Sequence, residues 1–209
     1  PEASSGSSGS WNDFPWRRVL PLYAIGLPAA LLFFVVPIQT PFLLTERGFG
    51  SPQLIGQVAA IGGIGVTAGG FLFKSLDRLS LFQNLTIAFV LIASGLGIFA
   101  GADSYLLTVV GVIVASLGCG MTLPAILTSL MNALSFNERG RGTGGWQTVF
   151  FVGNFLSPIS VLAATALLGG LETALLALAV LSGAGAVLCL LASRPARGGG
   201  EARMVAADE

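Results

Sequence analysis

Histidine is absent from this chain of 209 residues, cysteine and tyrosine occur twice each, and only 10% of the residues are charged. The first absence removes the side chain that most often serves as catalytic base or metal ligand near neutral pH. Cys119 and Cys189 stand apart in apolar runs without metal-ligand spacing, and read as small buried hydrophobes. No Ser/His pair, paired Asp or metal-ligating cluster is present, so no enzyme, metal site or cofactor is expected. Ten basic and ten acidic side chains cancel to a formal net charge of zero, which gives no electrostatic case for nucleic acid as a partner. Soluble domains carry roughly 25% charged residues, enough to give each surface helix a polar face. Here the charge is too sparse for that.

What the chain has in excess is apolar length. Hydrophobic residues make up 54% of it, and every charge falls outside six windows: Val19–Leu44, Leu54–Phe73, Leu79–Gly101, Tyr105–Phe136, Gly142–Leu171 and Thr173–Ser193. Each has at least 20 residues, about the ~20 that a helix needs to cross ~30 Å of hydrocarbon. Basic residues fill alternate gaps. Arg17, Arg18, Lys74, Arg78, Arg139, Arg141, Arg194, Arg197 and Arg203 occupy the leader, second loop, fourth loop and tail, while Arg47 alone occupies the other three loops. Nine against one is a positive-inside bias, and it predicts six spans with both termini cytoplasmic. The expected fold class is an all-α membrane protein of six transmembrane helices, embedded in the lipid bilayer of the plasma (inner) membrane. The expected divisions are a linker or leader over 1–16, a six-helix domain over 17–193 and a cytoplasmic tail over 194–209. Residues 1–10, PEASSGSSGS, read as flexible linker and not as a signal peptide, so the chain is expected to begin within a longer protein.

The windows differ in what interrupts them. Trp11, Trp16 and the Arg17–Arg18 pair precede the first, as suits an interfacial segment. That window carries Pro21, Pro28, Pro37 and Pro41, each of which removes a backbone hydrogen bond and bends the helix. The second is dense in glycine, with Gly65 and Gly69 spaced for close backbone contact with a neighbour. The fourth holds Ser116-Leu-Gly118-Cys-Gly120-Met-Thr122-Leu-Pro124, and the fifth has the most polar interior: Trp146, Gln147, Thr148, Asn154, Ser157 and Ser160. The third and sixth are almost wholly aliphatic and read as peripheral.

Two loops on the predicted cytoplasmic face pair opposite charges, Asp77-Arg78 and Glu138-Arg139. Asp77 is placed to meet the positive end of the fifth helix at Gly142–Gly145. With Gly69-Gly70…Asp77-Arg78, Gly118-x-Gly120-x-x-x-Pro124, Glu138-Arg139-Gly140…Gly144 and Gly153-Asn-Phe-Leu-Ser157-Pro158 in this order, the chain resembles the C-terminal six-helix half of a major facilitator superfamily transporter. Two of these depart from the family pattern: Leu79-Ser80-Leu81 follows Asp77-Arg78 where Gly-Arg-Arg/Lys is usual, and Ser157 replaces a glycine. The resemblance implies an N-terminal six-helix half as partner. It also implies a central cavity faced by the first, second, fourth and fifth helices, with the third and sixth toward lipid.

Asn154 lies about 12 residues into the fifth window, ~18 Å along a helix, near the bilayer midplane where transporter sites lie. It heads the expected substrate contacts, followed by Gln39 and Thr40 between Pro37 and Pro41, then Gln57, Met121 and Gln147. Phe33, Phe34, Phe150 and Phe151 would add an aromatic wall. Asp77, Arg78, Glu138 and Arg139 are expected to latch the cytoplasmic gate. No Asp, Glu, Lys, Arg or His falls inside a window, so any proton-carrying residue would belong to the other half. The expected function is secondary active transport of a small organic solute by alternating access, with export of organic or drug-like compounds placed first. Uptake of a neutral metabolite, or a stand-alone six-helix homodimer or receptor, are the alternatives.

Overall fold

The computed structural model describes residues 14–193. The leader residue Trp11 and the tail cations Arg194, Arg197 and Arg203 lie outside the described residues. Six α-helices follow one another: α1 (Trp16–Glu46), α2 (Pro52–Ser75), α3 (Leu81–Ala100), α4 (Tyr105–Ala133), α5 (Arg139–Leu168) and α6 (Leu171–Ala192), with a 3₁₀ turn, Phe136–Glu138, before α5. All six are long and apolar enough to cross a membrane, and no strand occurs among the described residues.

Each boundary has a local cause. Ser51, Ser80 and Ser104 cap α2, α3 and α4 by accepting hydrogen bonds from the amides of Leu54, Gln83 and Leu107. At α3 the Gln83 side chain returns the bond to the Ser80 amide and completes a capping box. α5 stops at Gly169, whose φ of 83° is the left-handed turn that glycine adopts without strain.

Helix packing sets a front row α2–α4–α1–α5 with α3 and α6 behind it. The second helix of each three-helix segment therefore packs on the first helix of the other segment: α2 on α4, and α5 on α1. Glycines permit these close crossings. A Cβ on Gly65 or Gly69 would strike Ser116 or Leu117 of α4, and one on Gly153 would strike Ala30 of α1. Gly95 and Gly118 do the same between α3 and α4, against Ala115 and Ala88.

α4 is the most buried helix, and α2 and α5 are the least. α3 is less peripheral than its composition implies. Leu85, Ile92, Leu96 and Phe99 have no exposed surface because α3 is held between α4 and α6. α6 does expose a leucine-rich face, including Leu181, Leu188 and Leu191.

Candidate functional site

Between α1, α2 and α4 the front row opens into a groove of about 290 Å³. Its walls are Phe33, Pro37, Thr40 and Pro41 from α1 and Ile55, Ala59, Gly62 and Gly63 from α2, with Val112, Ser116 and Cys119 of α4 as floor. No charged side chain lines it. The surface is apolar, and its polar atoms are few.

Those few atoms are placed by the backbone. The Thr40 hydroxyl donates to the Val36 carbonyl at 2.6 Å, which leaves its lone pairs as acceptors. Ser116 has no hydrogen-bond partner for its hydroxyl among the described residues, although it is only 4% exposed. An interior proline removes the N–H that would bond the carbonyl four residues earlier. Pro37 thus frees the Phe33 carbonyl and Pro41 frees that of Pro37, and all three residues line the groove.

Phe33 also joins the groove to α5. Its ring centroid lies 5.6 Å from that of Phe150, and Phe34 lies 5.0 Å from Phe150. Asn154 follows Phe150 by four residues, one turn along the same face, and is half-buried with no hydrogen bond to its amide among the described residues. Pro158 frees the Asn154 carbonyl in the same way. The Ser157 hydroxyl is fully buried without a partner among the described residues. The groove spans α2, α4 and α1, and the Phe33–Phe150 contact links it to α5.

The remaining expected contacts scatter. Gln39 is buried but does not line the groove, because neighbouring residues on a helix point about 100° apart and Thr40 takes the groove side. Met121 has no exposed surface at all and packs inside the bundle, so a solute cannot reach it. Gln57 is exposed and outside the groove, and it accepts a hydrogen bond from the Tyr105 hydroxyl at 3.2 Å. Gln147 is exposed on α5, two turns before Asn154.

The loop charges also depart from expectation. Asp77 and Arg78 are exposed and make no ion pair or hydrogen bond among the described residues. The start of α5 is covered instead by Leu134, with the Tyr23 hydroxyl donating to the Gly142 carbonyl at 2.6 Å. An apolar cover and a tyrosine leave Asp77 no place there. Arg139 is exposed, while Glu138 closes a turn by accepting from the Ser135 amide at 2.9 Å and hydroxyl at 2.6 Å.

The Ser135 hydroxyl and amide, with Arg141 and Arg18 adding a smaller attraction, hold the Glu138 carboxyl below its usual range. A depressed carboxylate stabilises the turn above the unfolded value of about 4.3, and that contribution disappears as pH falls through the folded value. We expect Ser135→Ala to return Glu138 toward the ordinary carboxylate range. A carboxyl NMR titration checks this, and an unchanged titration in the variant would contradict the assignment.

Two features escaped the sequence. Ser116 is one, though a hydroxyl inside a charge-free window was a signal of the same kind as Asn154. The other is Arg47, whose guanidinium donates to the Phe99 carbonyl (3.0 Å) and the Ala100 carbonyl and pairs with Glu172 at 3.0 Å. It ties the α1–α2 loop to the end of α3 and the start of α6, on the face opposite Glu138. Nothing local in the sequence signals contacts with residues so distant along the chain.

Six bilayer-length helices, with an uncharged groove between α1, α2 and α4, make a bundle suited to a membrane. The family description Major Facilitator Superfamily matches residues 12–206, and the chain belongs to that family. No individual curated protein matches it. As a member it is an integral membrane transporter chain that handles small molecules, and not an enzyme.

Proposed function

We propose that this chain forms one half of an alternating-access transporter that exports a neutral or amphipathic organic solute. The observation that carries the reading is the groove: an apolar surface whose lining residues bring hydroxyls and proline-freed carbonyls, without a charge. Burying an ion there would be costly without an opposite charge, whereas an apolar body with one or two polar groups is matched. Ser116 and Thr40 would contact the solute in the groove, and Asn154 would contact it from α5. Gln39, Gln57 and Met121 are left out of this set by their placement.

The partner surface follows from exposure. Ile64 and Phe71 of α2 and Phe151, Phe155 and Ile159 of α5 are exposed on the two least buried helices. A second six-helix half would cover the front row between them, with both termini of this chain on the cytoplasmic side of the inner membrane. A second copy of the chain is the other way to cover it. The mass of the detergent-solubilised full protein separates a two-half monomer from a homodimer.

The test of the site is transport in proteoliposomes of the full protein. Losing one hydrogen bond to substrate costs about 1 ± 0.5 kcal/mol, so Ser116→Ala and Asn154→Ala should each raise KM about fivefold while the protein stays folded. Unchanged kinetics in both variants would count against the site. Uptake faster than efflux at equal gradients would reverse the direction proposed.

A further inference from the structure

On the opposite side of α1 a second groove of about 410 Å³ runs between α1 and α6. α1 leans on α5 and α4 and scarcely touches α6, and Phe89 of α3 and Ser160 of α5 complete the lining of the gap. Ala24 and Pro28 on one side and Gly185 on the other are small or short, while Leu181 and Leu188 form an exposed aliphatic wall. Along α6 the groove extends from Leu178 to Cys189, three residues before the helix ends. The eleven steps between them span roughly 16 Å at 1.5 Å each, about half of a ~30 Å hydrocarbon core. The groove therefore has the depth of one leaflet, and it is the leaflet on the side of Arg17.

Arg17 lies two turns before Ala24, the first residue of α1 that lines the groove. Arg17, Ala24, Pro28 and Leu31 repeat at helical spacing on one stripe of α1, so the cation crowns the face that lines the groove. Arg17 is exposed and without a hydrogen bond or ion pair among the described residues. Its neighbour Arg18 differs, because it lies in the field of Glu138. Trp16, 43% exposed, lies beside it at headgroup depth. A mainly aliphatic slot one leaflet deep, with a free guanidinium two turns beyond it on the same stripe of α1, matches a lipid that carries both an acyl chain and a negative headgroup.

We propose that the α1–α6 groove holds an acyl chain of an anionic phospholipid whose phosphate is bound by Arg17. The inference rests on the membrane-spanning reading alone and is independent of the cargo or its direction. The full protein, stripped of lipid in detergent, is titrated with phosphatidylglycerol and separately with phosphatidylcholine of identical acyl chains, followed by native mass spectrometry. Wild type should retain phosphatidylglycerol preferentially, and Arg17→Ala should reduce that preference about fivefold, the equivalent of ~1 kcal/mol for one interfacial cation. Lys74→Ala, a cation at the same membrane face but on α2, should leave it unchanged. Gly185→Leu should lower occupancy by both lipids, since Gly185 lines the groove and a Cβ added there meets only the Phe89 ring, at 3.7 Å, an ordinary contact. Equal retention of the two lipids by wild type would overturn the proposal. So would an undiminished preference in Arg17→Ala, a matching loss in Lys74→Ala, or full lipid occupancy in Gly185→Leu.

Discussion

Gly120→Leu is expected to abolish the folded six-helix unit, while Gly56→Leu leaves it intact. At Gly120 the backbones of α2 and α4 touch. A Cβ there would fall inside the contact radius of the Val66 carbonyl oxygen and within 3.0 Å of the Gly69 Cα. The reciprocal Cβ on Gly69 would strike the Leu117 carbonyl and approach the Gly120 Cα. Neither obstacle is a side chain that could rotate away. Overpacking a side-chain core costs about 1–3 kcal/mol, and here relief requires moving whole helices apart. Helices in lipid are held by close van der Waals packing and not by a hydrophobic drive, so separation forfeits the contact itself. Gly56 is exposed, and a Cβ added to it would meet nothing within 4 Å. Leucine there should be neutral or mildly stabilising, since it exceeds glycine in helix propensity by up to ~1 kcal/mol. The fraction eluting as a monodisperse peak and the apparent melting temperature compare the two variants. Equal behaviour would show that the α2–α4 crossing is looser than its geometry.

Arg47→Ala should destabilise the bundle by roughly 2–4 kcal/mol, and Glu172→Gln by no more than about 1 kcal/mol. The difference comes from where the guanidinium spends its hydrogen bonds. The Arg47 side chain is 12% exposed and that of Glu172 60%, so the ion pair is largely screened by solvent. The bonds to the Phe99 and Ala100 carbonyls are sheltered, and they meet the negative end of the α3 dipole. A hydrogen bond to a charged group is worth about 1.5–3 kcal/mol, and loss of the arginine leaves carbonyls at the end of α3 without it. Arg47→Lys should recover only part of the loss, because one ammonium cannot reproduce the planar fork. Ranking the three variants by thermal denaturation tests this. If Glu172→Gln proved as damaging as Arg47→Ala, the ion pair and not the helix end would be the source of stability. The only cation that the charge pattern assigns to the other face of the membrane is thus a structural clasp.

Much of this protein was legible from residue order. Six charge-free windows became six helices because lipid offers backbone groups no partner, which leaves a helix as the only local solution. Ser51, Ser80 and Ser104 stop short of the helices that follow and cap them. Proline positions told where carbonyls are freed. These are properties of one helix at a time.

What required the tertiary structure is every relation between helices. Gln39 and Thr40 are adjacent in sequence, yet only Thr40 lines the groove, since which side of α1 meets α2 and α4 is set by how the helices cross. Met121 is as apolar and mid-membrane as Phe33, but burial of α4 among its neighbours removes it from any solute. Asp77 lost its expected place because Leu134 and Tyr23 already cover the start of α5. Arg47 reached Glu172, 125 residues away, through the packing of helix ends. By itself the sequence determined the elements, because hydration and lipid act on each segment independently. The glycine crossings decided which faces meet, because close contact depends on both partners at once.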